Sequence, residues 1–406
     1  MWQQLAALNR DQKSAFLASF LGWTLDAFDF FLMVFVIHAI AADFSAAVTD
    51  VTYAVTLTLA MRPLGALLFG RLADRFGRRP VLMADIILYS VLELASALAP
   101  SLTALLVLRA LFGIAMGGEW GLGSALVMET IPANLRGLVS GILQEGYATG
   151  YLIAAIVYYT LFDTIGWRGM FAVGVLPALL VLYIRSSVKE SPVFERMRAA
   201  PSHYTAWRDI KTRWPLFLYA VILMTAFNFF SHGTQDLFPT FLQVQHNFTT
   251  HQVGLIAIIA NIGAIIGGIF FGSLSERIGR RRAIVIAALL ALPVIPLWAF
   301  SSSMATIAAG AFLVQIMVQG AWGVIPAHLN ELSPDHMRGT FPGFTYQLGN
   351  LLASANASIQ ASFAASHGGN YGLALATVTA TVAVAIALLA GFGKEAKGVV
   401  FGQEND

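Results

Sequence analysis

Gly70-Arg71-Leu72-Ala73-Asp74-Arg75-Phe76-Gly77-Arg78-Arg79 decides the reading of this chain because it occurs twice. Gly272-Ser273-Leu274-Ser275-Glu276-Arg277-Ile278-Gly279-Arg280-Arg281 follows at an offset of 202 residues, from 70 to 272. The offset holds further along. Trp120 falls on Trp322, Gly121 on Gly323, Glu129 on Glu331, Pro132 on Pro334, Arg136 on Arg338, Gly137 on Gly339 and Gly141 on Gly343. So many identities at one spacing mean two copies of one unit. The copies sit in a chain of 406 residues that is 57% hydrophobic and 11% charged, with a mean hydropathy of +0.72. A soluble domain carries about 25% charged residues. This composition supplies no water-facing surface for such a length, so the chain reads as a two-halved membrane protein.

The net charge of +2 argues against a nucleic-acid partner. There is no cysteine, which excludes disulfides and thiolate metal sites, and neither a cofactor nor a metal is expected. Met1 to Lys13 is polar and lacks the short apolar core of a cleavable signal peptide.

A spanning helix needs about 20 apolar residues. The sequence predicts an all-α fold with twelve such spans, over 15–42, 50–71, 80–99, 102–129, 137–162, 166–185, 214–244, 251–273, 282–300, 303–332, 339–367 and 370–392. They form two six-helix bundles, 1–185 and 214–406, joined by a linker over 186–213. That linker carries Lys189, Arg196, Arg198, Arg208, Lys211 and Arg213. It shares one side with Arg10, Lys13, the 71–79 and 277–282 loops, Arg136, Arg338, Lys394 and Lys397. Of the basic residues only Arg168 falls opposite, beside Asp43, Asp50, His246 and His251. The excess of Lys and Arg predicts cytoplasmic termini and a cytoplasmic linker.

The repeated Gly-x-x-x-Asp-Arg-x-Gly-Arg-Arg loop resembles the signature loop of the major facilitator superfamily, and the resemblance extends over the whole chain. It implies a transporter whose parallel halves are related by an axis along the membrane normal. The loop glycines allow a tight turn. The carboxylates Asp74 and Glu276 can meet a helix N-terminus or an arginine. With Gly70, Arg75, Gly77, Arg78, Arg277 and Arg280 they are expected to latch one arrangement of the halves. Glu129, Arg136, Glu331 and Arg338 recur in both halves and read as scaffold at the cytoplasmic end. Gly113, Gly117, Gly118 and Gly121 read as sites of close helix packing.

Charge inside a membrane is expensive and marks function. Asp26, Asp29, Arg62, Asp85, Glu93, Arg109, Glu119, Glu145 and Asp236 all fall within spans. The repeat sorts them. Arg109 maps onto Ala311, Glu119 onto Ala321, Arg62 onto Ala264 and Asp29 onto Ser231; His232 maps onto Phe30, Asp236 onto Val34 and Asp26 onto Asn228. The groups present in one half only form the candidate site. Asp26, Asn228 and Arg109 lie within about 10 Å of mid-span. Asn228, His232, Gln235 and Asp236 lie along one helical stripe.

Span 7 carries a second resemblance. Asn228-Phe229-Phe230-Ser231-His232-Gly233-Thr234-Gln235-Asp236-Leu237-Phe238-Pro239-Thr240 matches Asn-x-x-Ser/Thr-His-x-Ser/Thr-Gln-Asp-x-x-x-Thr at every specified position. This pattern is similar to that of the fungal lactate and pyruvate proton symporters in the sialate:proton symporter family. Gly22 to Phe30, and Arg109 with Glu119-Trp120-Gly121, are similar too. The resemblance implies carboxylate uptake with protons, with Asn228, His232, Gln235 and Asp236 on the substrate path. Sialic acid permeases of that family are typically longer, so the short linker favours a small monocarboxylate over sialate.

The residue chemistry agrees. Arginine stays charged and offers a fork for a carboxylate. Arg109 is the expected anchor, paired in the empty carrier with Asp26, Asp29 or Glu119. An arriving anion favours protonation of a nearby acid, which couples the two cargoes reciprocally. Asp26, Asp29, Glu119 and Asp236 are the expected proton-coupling acids. Gln144, Tyr147 and Glu145 are expected to line the cavity, and Arg62 to pair structurally with Asp85. The expected partners are a small organic anion, a proton and the lipid bilayer, for a monomeric carrier in a bacterial inner membrane. No catalytic triad, zinc motif or ATP-binding loop is visible, so an enzyme is not expected.

Overall fold

The computed structural model describes residues 2–199 and 211–402; Arg208 of the linker lies outside the described residues. The described chain is helical throughout. After a short turn of helix over Trp2–Ala6, the first long helix, α1 (Arg10–Asp43), opens on a capping box in which Asn9 and Gln12 exchange side-chain and backbone hydrogen bonds. It is followed by α2 (Val48–Phe76), α3 (Arg78–Ala97), α4 (Leu102–Met116), α5 (Glu119–Thr130), α6 (Arg136–Gln144), α7 (Gly146–Val173), α8 (Ala178–Ser187) and α9 (Pro192–Ala199). Beyond the linker come α10 (Trp214–Gln235), α11 (Thr250–Ile278), α12 (Arg280–Ala291), α13 (Ile295–Ala299), α14 (Met304–Leu332), α15 (Phe341–Ala353), α16 (Asn356–Ser366) and α17 (Tyr371–Phe392).

Among the described residues, ten helical stretches are long and apolar enough to cross a membrane. Two departures separate this from the expected twelve. Ala133–Ser187 forms one run of 55 residues, bent where Gly166 takes φ +63°. The 339–367 segment divides into α15 and α16, of 13 and 11 residues. At 1.5 Å per residue these are about 20 and 17 Å long, too short to cross about 30 Å alone. Prolines account for another break. Pro293 and Pro296 divide the 282–300 segment between α12 and α13, because proline cannot donate to the preceding turn. Leu68, Val91 and Phe270 are half exposed on helix faces, where they meet lipid rather than water.

The sequence repeat returns as packing. An ideal Cβ on Gly65 would lie 1.8 Å from the Ile114 carbonyl, and one on Gly267 would lie 2.1 Å from the Ile316 carbonyl. Both pairs stand at the 202-residue offset. Gly113 and Gly117 likewise press on the Thr58 and Arg62 backbones, so α2 and α4 touch along their main chains. Between α2 and α3, Gly77 takes φ +109°; between α11 and α12, Gly279 takes φ +96°. Only glycine adopts that backbone without strain. Gly113→Val should therefore force α2 and α4 apart and cost about 3 kcal/mol or more, the scale of an overpacked core. A fall of several degrees in thermal unfolding of the detergent-solubilised protein would show it. An unchanged midpoint would contradict the contact.

Candidate functional site

The two signature loops sit at one end, where basic side chains gather. Arg78 bonds Glu129 at 2.9 Å and reaches Asp74 at 3.2 Å. Arg280 bonds Glu331 at 2.8 Å and Glu276 at 2.9 Å. Each glutamate also meets an arginine of the opposite half: Arg338 lies 3.4 Å from Glu129, and Arg136 lies 3.8 Å from Glu331. These four recurring residues therefore bridge the halves as well as support each one, more than the scaffold the sequence suggested. The aspartate of the first loop caps the start of α15, accepting from Gly339 N at 2.8 Å, Thr340 N at 3.1 Å and Thr340 Oγ1 at 2.6 Å. Glu276 accepts from Gly137 N at the start of α6, the matching contact. Gly70 lies against the Gly339–Thr340 backbone. Arg75 and Arg277 are exposed and stand outside this ion-pair network.

Two carboxylates at this end escaped the sequence reading. Glu190 accepts from the backbone of Arg78 and Arg79, and Glu395 from that of Arg280 and Arg281. They cap α3 and α12. Lys189-Glu190 and Lys394-Glu395 are their signal, but they stand 205 residues apart (190 to 395) and so fell off the 202 register. The described tail also packs here. Phe401 lies between Arg136 and Arg338, 3.6 and 3.7 Å from their guanidinium carbons. The Val399 carbonyl accepts from Arg136.

Inside the N-terminal half, Arg109 is 1% exposed and held by Glu93 at 2.7 Å and Ser96 at 2.5 Å. Phe112 and Phe171 cover its guanidinium. The partner is thus Glu93, not Asp26, Asp29 or Glu119 as expected. Every one of these neighbours belongs to the same half, so Arg109 is sequestered from the seam. Asp29 lies beside Glu93 against Gly174.

Arg62, also buried, is differently placed. It is 3.5 Å from Asp26, and the Met116 sulfur accepts from its amino group; Asp85, its expected partner, carries no hydrogen bond among the described residues. Tyr147 of one half and Tyr346 of the other both feel the charges of Arg62 and Asp26. The two tyrosines belong to one run of aromatic rings. The ring centroids of Trp120 and Tyr346 are 4.7 Å apart, those of Trp23 and Tyr147 5.6 Å, and those of Trp322 and Tyr346 5.6 Å. Gln144 orients Trp120 by accepting from its indole at 3.2 Å. Glu119 is buried between α1 and α5, where its Oε1 fills the notch at Gly22. Both its oxygens, and both of Asp26 and of Asp29, carry no hydrogen bond among the described residues.

In the C-terminal half the predicted stripe divides. His232 contacts Asp236 at 3.0 Å and Asn350 at 3.1 Å. Asn356 donates to Asp236 at 3.2 Å and to Gln360, which donates to the Gly233 carbonyl. Gln235 turns to Gln315 on α14 at 3.2 Å. Asn228 donates back to the Met224 carbonyl of its own helix and does not join the histidine network. Asn350, Asn356, Gln360 and Gln315 went unnamed in the sequence reading because amides in an apolar helix give no charge signal. Glu145 does not line the aromatic centre either; it is buried in the seam against Gly268 of α11.

The family model described as Major Facilitator Superfamily matches residues 16–354 and 235–403. The sialic acid transporter NanX of Escherichia coli is 30% identical over 371 residues, covering 90% of each chain. A carboxylic acid transporter protein homolog of Saccharomyces cerevisiae is 29% identical over 375 residues, which are 86% of this chain; the chain spans 61% of that relative's length. The proton:xylose symporter XylE, solved with 6-bromo-6-deoxy-D-glucose, superposes with a TM-score of 0.80 at 20% identity, covering 97% of this chain and 98% of that one, which speaks for the fold. NanX is of nearly the same length as this chain, so length alone does not separate a small acid from sialate. With its repeated loops, its polar groups buried at a seam between matched helices, and these relatives, the chain belongs to the Major Facilitator Superfamily and is a secondary transporter, not an enzyme.

Proposed function

We propose that this transporter imports short monocarboxylates such as lactate or pyruvate, each with one proton, by alternating access between its halves. The observation that carries the reading is Arg62, a buried guanidinium held only loosely by Asp26 at 3.5 Å. A carboxylate arriving there gains the fork of Arg62 and displaces Asp26, whose oxygens have no hydrogen bond among the described residues. The displaced acid is relieved of its charge by taking a proton, so each cargo favours the other. Across the seam, the His232–Asp236–Asn350 network offers donors for the hydroxyl or keto oxygen. The carboxylic acid transport named for the yeast relative agrees with this chemistry.

The same reading carries the rest of the assignment. Asp26, Asp29, Glu119 and Asp236 supply the proton-coupling acids. Asp74, Arg78, Glu276 and Arg280 latch the basic end. The halves are 1–185 and 214–406, and 186–213 is a linker on the cytoplasmic side with both termini. Twelve crossings follow if the bent 55-residue run passes twice, since straight it would measure about 80 Å, and if α15 and α16 complete one crossing together. The carrier works as a monomer in the bacterial inner membrane.

A second reading, uptake of sialic or another larger organic acid, draws support from NanX. Proteoliposomes separate the two. An imposed pH gradient, acid outside, should drive accumulation of labelled lactate, and a tenfold excess of unlabelled sialate should leave it intact. Strong inhibition by sialate would favour the second reading. Because proton and monocarboxylate cancel in charge, a membrane potential alone should drive no accumulation. Voltage-driven uptake would sink the one-to-one stoichiometry.

A further inference from the structure

We propose that Glu145 is a proton-carrying residue of the transport cycle, loaded while the cytoplasmic side is closed and discharged when it opens. This rests on the proton-coupled reading above and adds a site to it.

The argument starts from a seam. Gly137, Gly141 and Glu145 recur every fourth residue along α6 and its end, so they share one helical face. That face meets α11 of the opposite half. An ideal Cβ on Gly137 would lie 2.4 Å from the Gly272 carbonyl, and one on Gly141 would lie 2.3 Å from the Gly268 carbonyl. At the deep end of the stripe the glycines stop and a carboxyl takes over. The Oε1 of Glu145 stands 2.1 Å from the ideal Cβ position of Gly268, in a notch that any larger residue there would fill. The glutamate is 7% exposed, and its Oε1 has no hydrogen bond among the described residues.

No ion pair reaches it among the described residues, and Glu119 on the adjoining α5 is turned to Gly22 of α1. The α11 wall is Gly268; its next titratable group is Glu276, about 12 Å further along, bonded to Arg280 and the Gly137 amide. The α14 wall offers the Gln319 carbonyl near the notch, with His328 and Glu331 further down the helix. The α1 wall offers Trp23 and Thr24 beside Gly146, with Asp26 committed to Arg62. On its own element, Arg136 lies about 13 Å away. An ionised carboxylate in such a place would be buried without a counter-charge, which is prohibitively costly, so the group is seated there as the neutral acid.

The repeat supplies an internal control. The position equivalent to Glu145 is Gln347 on α15, buried at 1% in the matching seam against α2. A neutral amide therefore holds this register position in the other half, where Ala66 stands in place of Gly268. Carboxylic acid and amide have one shape, and only the acid has a proton to give. Opening the cytoplasmic side parts α6 from α11 and admits water to the notch. The O–H bond of Glu145 then breaks, the proton passes to water, and a hydrated carboxylate remains until reprotonation lets the seam close.

The test uses the full chain in proteoliposomes with labelled lactate, comparing wild type, E145Q and E145D. In E145Q, accumulation driven by a pH gradient should fall at least tenfold, while lactate counterflow, which moves no net proton, continues. E145D should regain part of the accumulation. On the purified protein, infrared spectroscopy should show a protonated-carboxyl band that E145Q lacks. Accumulation by E145Q at the wild-type level would overturn the proposal, as would an infrared spectrum unchanged by the substitution. If E145Q loses counterflow as well, the infrared comparison on the folded protein decides. If wild type accumulates neither lactate nor sialate under a pH gradient, the proton-coupled reading itself fails, a result distinct from a wild type that couples and an E145Q that couples equally.

Discussion

Arg62→Gln is expected to lower kcat/KM for carboxylate uptake by about a hundredfold or more. Removing one partner of a buried charge-assisted contact costs about 2–5 kcal/mol, and about 1.4 kcal/mol is a factor of ten. Arg62→Lys should recover little, because a point charge does not replace the planar fork. Arg109→Gln should behave in another way. It strands Glu93 in the N-terminal half, and breaking a buried pair destabilises by about 3–5 kcal/mol. The loss should appear in the thermal unfolding midpoint and in expression, with the KM of the surviving protein close to wild type. Measuring uptake kinetics and unfolding on both variants separates the roles. A raised KM in Arg109→Gln with wild-type kinetics in Arg62→Gln would return the anchor to Arg109.

The second large effect concerns the balance between conformations. Asp74→Asn with Glu276→Gln removes the charge from both caps that cross the seam, on Gly339–Thr340 and on Gly137. Hydrogen bonds to charged groups are worth about 1.5–3 kcal/mol each. Losing two such contacts approaches the roughly 5.5 kcal/mol that inverts a 99:1 population. The chain has no cysteine, so a single reporter is clean. Ala66→Cys sits on α2 facing Gly343 and is buried in the closed seam. A thiol reagent applied from the cytoplasmic side should label it at least tenfold faster in the double variant. Equal rates, with unfolding unchanged, would mean that the caps do not hold the seam.

The parts of this molecule legible in its sequence are those written twice. The loops, the glycine contacts and the Glu129/Glu331 positions all follow from the 202-residue register, since a repeated residue must meet a repeated demand. The parts that escaped depend on rotation about a helix axis. Depth along a span follows from counting residues, and by that measure Arg109 and Asp26 are neighbours. The side of the helix each presents depends on how α3, α4 and α7 pack, and that packing gives Arg109 to Glu93. The same limit hid Arg62, whose depth near the inner half suggested a structural pair with Asp85. The expected break near 163–165 returns as the bend at Gly166, and the 282–300 span as Arg280–Ala299; the boundary that failed is 339–367, which the structure divides between α15 and α16.

The position of Phe401 has a practical consequence. Its ring is sandwiched by one guanidinium from each bundle, and two bundles that move apart cannot both keep hold of it. Each turnover must therefore peel the end of the polypeptide from at least one of them. A fluorophore attached beside that aromatic, with a quencher on α9, would blink once per cycle and so count transport events.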